Sequence, residues 1–107
     1  MITVAQYFMG RDAKYPSALT DAIKHNAEIT VKKVNALLEL AAKDGARPGV
    51  DEVTGNDVAS GWRPPVVNDR TSNAAATSTH LTAEGCDLQE ASNRALARWC
   101  IENLCAL

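Results

Sequence analysis

One long amphipathic segment constrains the fold of this 107-residue chain more than any other feature. From about residue 20 to residue 43, apolar residues recur at spacings of three and four, which predicts a helix with one apolar face. The residues on this face are Ile23, Ala27, Val31, Val34, Leu38 and Ala41. Thr20 suits the N-terminal cap of the helix, and Gly45 suits its end. Because the apolar face must be covered, we expect residues 1–107 to form a single small domain.

After this helix the sequence predicts shorter elements separated by loops. The candidate strands are residues 50–53, residues 58–63 (ended by Pro64 and Pro65) and residues 86–89. Residues 68–79 are polar and rich in alanine, which indicates a loop or a short helical turn. A final helix is expected from about Ser92, and its apolar face comprises Leu96, Trp99, Cys100, Leu104 and Leu107. This order of elements predicts an α+β fold, in which a small antiparallel sheet carries the site and helices pack on one face.

The charge and composition exclude several classes of partner. The net charge is -2, no run of Lys or Arg is present, and the aromatic residues are two Trp, two Tyr and one Phe. These features argue against nucleic acid as a partner. No apolar run approaches the roughly 20 residues of a membrane-spanning helix, and the N-terminal residues do not resemble a secretory signal. We therefore expect no membrane partner and synthesis in the cytoplasm.

The three cysteines indicate a reducing compartment. Cys86, Cys100 and Cys105 are odd in number, and no two of them form a C-x-x-C pair. If Cys100 and Cys105 share a helix, their spacing of five turns them to different faces. We therefore interpret each cysteine as a small apolar side chain that is buried rather than bridged.

The residue pair with the clearest chemical potential is His80 and Asp87. Imidazole and carboxylate groups are ordinary zinc ligands, and a hydrolytic zinc site uses three protein ligands and a water. Seven residues along a regular strand would point the two side chains to opposite faces. Gly85 allows a turn or bulge that could bring them together. Taken alone, such a pair is more often a surface histidine and an aspartate at a strand end.

Two linked motifs change that interpretation. Ser78-x-His80, followed by Asp87, resembles the S-x-H-x-x-G-x-A-x-D signature of the zinc D-Ala-D-Ala peptidases. Upstream, Ser60-Gly61-Trp62-Arg63 is similar to the S-G-[YW]-R segment that precedes this signature in those enzymes. The family includes vancomycin-resistance D,D-peptidases, phage L-alanyl-D-glutamate endopeptidases and the fold of the Hedgehog signalling domain. The resemblance thus implies a fold of the Hedgehog/DD-peptidase type over most of the chain.

The resemblance also implies roles for individual residues. His80 and Asp87 would be ligands of Zn²⁺, and Arg63 would bind substrate and stabilise the oxyanion as water attacks the peptide carbonyl. Ser60 and Ser78 would contribute to substrate binding. For Ser78 an equally favoured interpretation is a hydroxyl that stabilises a turn. The alternative for Arg63 is a surface salt bridge. Trp62 is interpreted as a core residue or a wall of the site rather than a substrate contact.

The sequence departs from the family pattern in two places. The family glycine three residues after the ligand histidine is Ala83 here, and its usual alanine is Gly85. In the family a catalytic Glu and a third ligand, a His, follow the final helix near a W-x-H element, and neither has a match here. Glu84, Glu90 and Glu102 match no catalytic position, and His25 fits a solvated helix face. We therefore expect the domain to lack its C-terminal segment, to bind zinc weakly and to be inactive in this form.

Three functional interpretations remain open at this point. The first is a zinc murein peptidase, such as a phage endolysin or a virion-associated enzyme that acts on the cell wall. Its partner would be a peptidoglycan stem peptide, cleaved at D-Ala-D-Ala or at L-Ala-D-Glu, and we expect it to be a monomer. The second is a module of the same fold that binds peptidoglycan without catalysis. The third is a purely structural or interaction domain.

Overall fold

The computed structural model describes residues 1–70 and 78–103. The helices are α1 (Val4–Phe8), α2 (Arg11–Lys14), α3 (Asp21–Lys43), α4 (Pro65–Arg70) and α5 (Ala95–Glu102). The strands are β1 (Val58–Ser60) and β2 (Asp87–Leu88), and 3-10 turns occupy Pro16–Ala18 and Thr79–Thr82. This mixture of helices with a small antiparallel sheet agrees with an α+β fold in general. No helix in the described part of the chain is long and apolar enough to cross a membrane.

Helix α3 confirms the prediction from apolar periodicity. The Thr20 hydroxyl accepts a hydrogen bond from the Ile23 N–H at 3.2 Å, which satisfies one of the free donors at the helix start. Gly45 follows the last residues of the helix with a φ of +76°, a conformation that favours glycine. Within the predicted apolar face, the buried residues are Ala27, Val31, Leu38 and Ala41, while Ile23 and Val34 are partly buried.

The N-terminal helices α1 and α2 have no counterpart in the prediction. The Thr3 hydroxyl accepts from the Gln6 N–H, and the Gln6 side chain accepts from the Thr3 N–H, which together form a capping box for α1. This helix contacts α3 and β1, and its residues Tyr7 and Phe8 are buried. Phe8 meets the Trp62 ring edge to face at 5.9 Å. The first residues of the chain therefore close the core beside the Ser60–Arg63 motif.

Two of the predicted strands form the antiparallel sheet, and both are shorter than predicted. Strand β1 pairs antiparallel with β2, so that Val58 lies opposite Leu88 and Ser60 lies opposite Asp87, with an irregularity in between. The strand expected over residues 58–63 ends at Ser60. Beyond that point the backbone bonds to the His80 segment instead of continuing the ladder.

The predicted strand over residues 50–53 is wrong. The Asp51 carboxylate accepts hydrogen bonds from the N–H groups of Val53 and Thr54 at 2.8 and 3.0 Å. Aspartate favours such side-chain turns, which compete with strand pairing. Gly55 completes the turn with a φ of +71°. The two valines are accordingly exposed rather than buried in a sheet.

Helix α5 packs on α3 through the apolar face that its sequence predicts. It begins at Ala95 rather than near Ser92, and Leu96 and Trp99 are buried. The Trp99 indole donates to the Asp44 carboxylate at 2.8 Å, which ties α5 to the end of α3. Cys86 and Cys100 are free and half-buried rather than fully buried. Leu104, Cys105 and Leu107 lie outside the described residues, as does most of the predicted loop before residue 79.

Candidate functional site

Hydrogen bonds engage the backbone N–H, the backbone carbonyl and the ring Nδ1 of His80. It lies in the 3-10 turn after β1 and α4, and only 7% of its surface is exposed. Its N–H donates to the Ser78 hydroxyl at 3.2 Å, and its carbonyl accepts from the Arg63 N–H at 2.9 Å. Its ring Nδ1 lies 2.7 Å from the carbonyl oxygen of Gly61. The two motifs found in the sequence therefore bond directly to each other.

The contact with Gly61 decides which ring nitrogen of His80 is free. A carbonyl oxygen can only accept, so Nδ1 must carry the hydrogen in this contact. In the neutral imidazole the lone pair then lies on Nε2. Metal-binding histidines are commonly oriented in this way, through a hydrogen bond from the nitrogen that does not bind the metal.

Asp87 completes the pair that the sequence predicts. Its Oδ2 lies 3.3 Å from Nε2 of His80, although the Asp87 side chain is 64% exposed. Two ligands about 2.1 Å from a tetrahedral Zn²⁺ are separated by about 3.4 Å, so the spacing fits a shared zinc ion. It equally fits an ion pair with a protonated histidine. The structure thus brings together two residues seven apart, with Nε2 of His80 and the Asp87 carboxylate facing each other.

The turn between His80 and Asp87 explains how the two side chains meet. Ala83 adopts the left-handed conformation with a φ of +61°, at the position where the resembled family has glycine. The Thr30 hydroxyl donates to the Ala83 carbonyl at 2.7 Å. At Gly85, a Cβ would lie 3.2 Å from Nε2 of His80 and 2.6 Å from the Thr79 hydroxyl. The turn therefore needs glycine at position 85 for close approach to the imidazole.

Arg63 is buried and is not a surface salt bridge. Only 9% of the residue is exposed, and its Nη2 donates to the Ser78 hydroxyl at 3.0 Å. Its Nε has no hydrogen-bond partner among residues 1–70 and 78–103. The guanidinium thus keeps an unused donor beside the His80 segment. A buried donor of this kind is costly unless a ligand or water satisfies it.

Ser78 bonds to the residues of the candidate site, whereas Ser60 lies opposite Asp87 in the sheet. The Ser78 hydroxyl accepts from both Arg63 and the His80 N–H, so it both stabilises the turn and belongs to the site. Ser60 is half-buried on β1 opposite Asp87. Trp62 is fully buried, and its indole donates to the Leu81 carbonyl at 3.2 Å. Its burial confirms the prediction that Trp62 is a core residue.

Two residues near the site, Tyr7 and Arg11, could not be predicted from any local sequence pattern. The Tyr7 hydroxyl donates to the Gly85 carbonyl at 2.6 Å, and burial raises the pKa of this phenol above its usual value. The Arg11 guanidinium donates from Nη1 to the Trp62 carbonyl at 2.9 Å. Burial, and then the nearby charge of Arg63, lowers the pKa of Arg11. No local pattern could indicate either residue, because both contacts depend on tertiary packing.

The described residues bring together two side chains that could bind a metal ion, and not three. No group of three His, Cys, Asp or Glu side chains that could hold a metal ion occurs in the described ranges. Burial, followed by the charge of Asp87, raises the pKa of Cys86 to about 11, so its thiol is neutral near pH 7. Glu84 accepts from the Thr82 hydroxyl, and His25 is exposed on α3 as expected. His80 and Asp87 therefore fit two positions of a zinc site.

Comparison of the chain with protein-family models, with curated proteins and with solved structures finds no match.

Proposed function

We propose that this chain is a domain of the zinc murein peptidase type, acting on peptidoglycan stem peptides. The observation that carries the proposal is the pairing of His80 Nε2 with Asp87 Oδ2 at 3.3 Å, with Nδ1 fixed on the Gly61 carbonyl. The first contact fits a shared zinc ion and also an ion pair. The second is the arrangement expected of a zinc ligand.

The site residues have complementary tasks in this proposal. His80 and Asp87 hold Zn²⁺, which when bound supplies a Lewis acid for a peptide carbonyl or a water. Arg63 presents a fixed positive charge to the substrate, and Ser78 orients that guanidinium through the bond to Nη2. The burial of Arg63 strengthens its interaction with a polarised carbonyl, because less water screens the charge.

A second candidate function follows from the ligand count. Two metal ligands among the described residues are fewer than a hydrolytic zinc site uses. A module that binds stem peptides through Arg63 without cleaving them agrees with that count. Muropeptide binding by the chain and by Arg63→Ala separates the two functions, because tight and Arg63-dependent binding without turnover favours the module.

Zinc binding is the direct test of the proposal. We expect the chain to bind Zn²⁺ with a stoichiometry of one, measured by titration calorimetry after removal of metal with a chelator. His80→Ala and Asp87→Ala should each weaken binding at least about tenfold, since each removes a ligand. Addition of the zinc-loaded chain to purified muropeptides, followed by mass spectrometry, then measures cleavage.

The control for the zinc test is His25→Ala. This histidine is exposed on α3, so its loss should leave zinc binding unchanged. Equal zinc affinity of the wild type, His80→Ala and Asp87→Ala would contradict the proposal and favour a structural ion pair. Circular dichroism of each variant establishes that a lost affinity reflects the ligand and not the fold.

A further inference from the structure

One short segment of the backbone, Trp62–Arg63, carries one arginine and accepts a hydrogen bond from another. Arg11 donates to the carbonyl of Trp62, and the next residue in the chain is Arg63. Arg63 is buried, and Arg11 is partly buried at the start of α2. The charge of Arg63 contributes to the lowered pKa of Arg11, which agrees with two guanidinium groups that lie near each other.

The two cations lack a counter-ion in the described part of the chain. No Asp or Glu carboxylate lies within 4.0 Å of either guanidinium among residues 1–70 and 78–103. Arginine stays charged at any physiological pH, so burial cannot be relieved by loss of a proton. Bringing two such charges together out of water is unfavourable unless an anion joins them.

The donors that remain free also point to an anion. Arg63 uses Nη2 for Ser78, while its buried Nε has no hydrogen-bond partner among the described residues. Arg11 uses Nη1 for the Trp62 carbonyl. A guanidinium carries five N–H donors in a planar fork that matches the two oxygens of a carboxylate. Both side chains are anchored by one bond and retain further donors.

We propose that Arg11 and Arg63 together bind a carboxylate group of the peptide ligand. Arg11 is then a binding residue supplied by the N-terminal helix α2, which lies 51 residues away in sequence from the carbonyl that holds it. The ligand class rests on the proposed function, since stem peptides carry free carboxylates. The pairing of the two arginines rests on the bond from Arg11 to the Trp62 carbonyl, next to Arg63, and on the Arg63 Nε that has no partner in the described part of the chain.

Binding of a small peptide in the absence of zinc tests this site. The probes are N-acetyl-D-alanyl-D-alanine, its C-terminal amide and inorganic phosphate, each titrated in the presence of a chelator. We expect the free acid to bind and the amide to bind at least about tenfold more weakly, because a charge-assisted bond is lost. Arg11→Gln should weaken binding of the acid by about tenfold, and Arg11→Lys should retain part of it.

The control is Arg98→Gln, which removes an exposed arginine on α5 and should leave peptide binding unchanged. Unchanged affinity of Arg11→Gln, or equal affinity of acid and amide, would overturn the proposal. Arg11-dependent binding of phosphate without binding of the peptide would overturn the assignment to a peptide carboxylate. If Arg11→Gln does not fold, shifts of the Arg11 and Arg63 side-chain NMR signals on peptide titration decide the question in the wild type.

The outcomes for this site and for the zinc site are separable. The chelator removes metal from the peptide titration, so a failure of His80 and Asp87 to bind zinc leaves that result unaffected. Conversely, zinc binding with no peptide binding would retain the metal site and reject the arginine pair.

Discussion

Helix α3 and the segment from His80 to Asp87 are stabilised in different ways. The helix is stabilised by many similar contributions, since one apolar residue in each turn packs against the core. The segment from His80 to Asp87 has little regular structure, and single hydrogen bonds to distant residues hold it. The Thr30 hydroxyl donates to the Ala83 carbonyl, the Tyr7 hydroxyl donates to the Gly85 carbonyl, and the His80 ring donates to the Gly61 carbonyl. The helix therefore has redundancy, whereas the site segment depends on a few contacts.

The largest effect is expected at Gly61, which lies against Tyr7 of α1 and whose carbonyl accepts the hydrogen bond from the His80 ring. A Cβ at this position would lie 1.9 Å from the Tyr7 carbonyl oxygen, which is backbone and cannot move aside. Gly61→Ala should therefore destabilise the domain by about 4 kcal/mol or more. Urea unfolding followed by Trp fluorescence measures this change.

The matched control for Gly61 is Gly45→Ala at the end of α3. Nothing lies within 4 Å of a Cβ there, and only the positive φ opposes the substitution. We expect a loss of about 1 kcal/mol. A similar cost for both variants would contradict the difference drawn between the two regions.

A large deletion in the helix is expected to have the second largest effect. Leu38 is buried on α3, and Leu38→Ala should cost about 3 kcal/mol through lost burial and a cavity. Leu40, on the same helix, is 44% exposed, and Leu40→Ala should cost less than about 0.5 kcal/mol. Thermal unfolding of both variants checks the pair. Leu38→Ala should leave zinc affinity unchanged wherever the domain is folded, and a weaker affinity there would show that α3 and the site are not independent.

A smaller effect is expected from removal of one oxygen at the site segment. Tyr7→Phe leaves the Gly85 carbonyl without its donor, which should cost about 1 to 2 kcal/mol. Tyr15→Phe removes the same atom from a ring that is only partly buried, and its effect should stay within about 0.5 kcal/mol. Denaturant midpoints measure both. Equal midpoints for the two variants would mean that the Tyr7 hydroxyl does not stabilise the turn.

The remaining predicted effect, absent at neutral pH, is a loss of stability at alkaline pH. Burial, then the charge of Asp87, raises the pKa of Cys86 from 9.0 to about 11, and burial also raises the pKa of Tyr7. The unfolded thiol loses its proton near pH 9, while the folded one keeps it until about pH 11. The stabilisation is therefore complete below pH 9 and declines as the pH rises through this window.

Unfolding free energies between pH 8 and pH 11 test the alkaline decline. Cys86→Ala should make the dependence on pH shallower than in the wild type, because one of the two raised pKa values is removed. A decline that is equally steep in the variant would assign it to other groups.

Much of the helical structure could be predicted because its signals are local. The apolar period and the Thr20 cap define α3 within its own sequence, and α5 follows from its apolar face to within a few residues. Where a local signal misled, a competing local interaction was responsible. Residues 50–53 contain two valines, but the Asp51 carboxylate bonds to the following N–H groups and makes a turn.

The sequence could predict the residues of the candidate site but not the residues that hold the site in place. His80, Asp87 and Arg63 could be chosen from motif spacing. The structure places the His80 ring beside Asp87 and bonds the Arg63 N–H to the His80 carbonyl, while the proposed roles of all three stay predictions. Tyr7 and Arg11 could not be chosen, because their partners lie 78 and 51 residues away. Sequence periodicity contains no information on contacts over such separations, which depend on how α1 and α2 close the core.

The bonding of His80 has a consequence for the entropy of ligand binding. Its N–H, carbonyl and Nδ1 are already engaged, so the rotation of this side chain is restricted once the domain has folded. A ligand that binds Nε2 has little further freedom to remove there. Asp87 is mostly exposed, and its side chain must be ordered when the ligand arrives. The two halves of the pair are thus prepared to different degrees, and the entropic cost of binding falls mainly on the carboxylate.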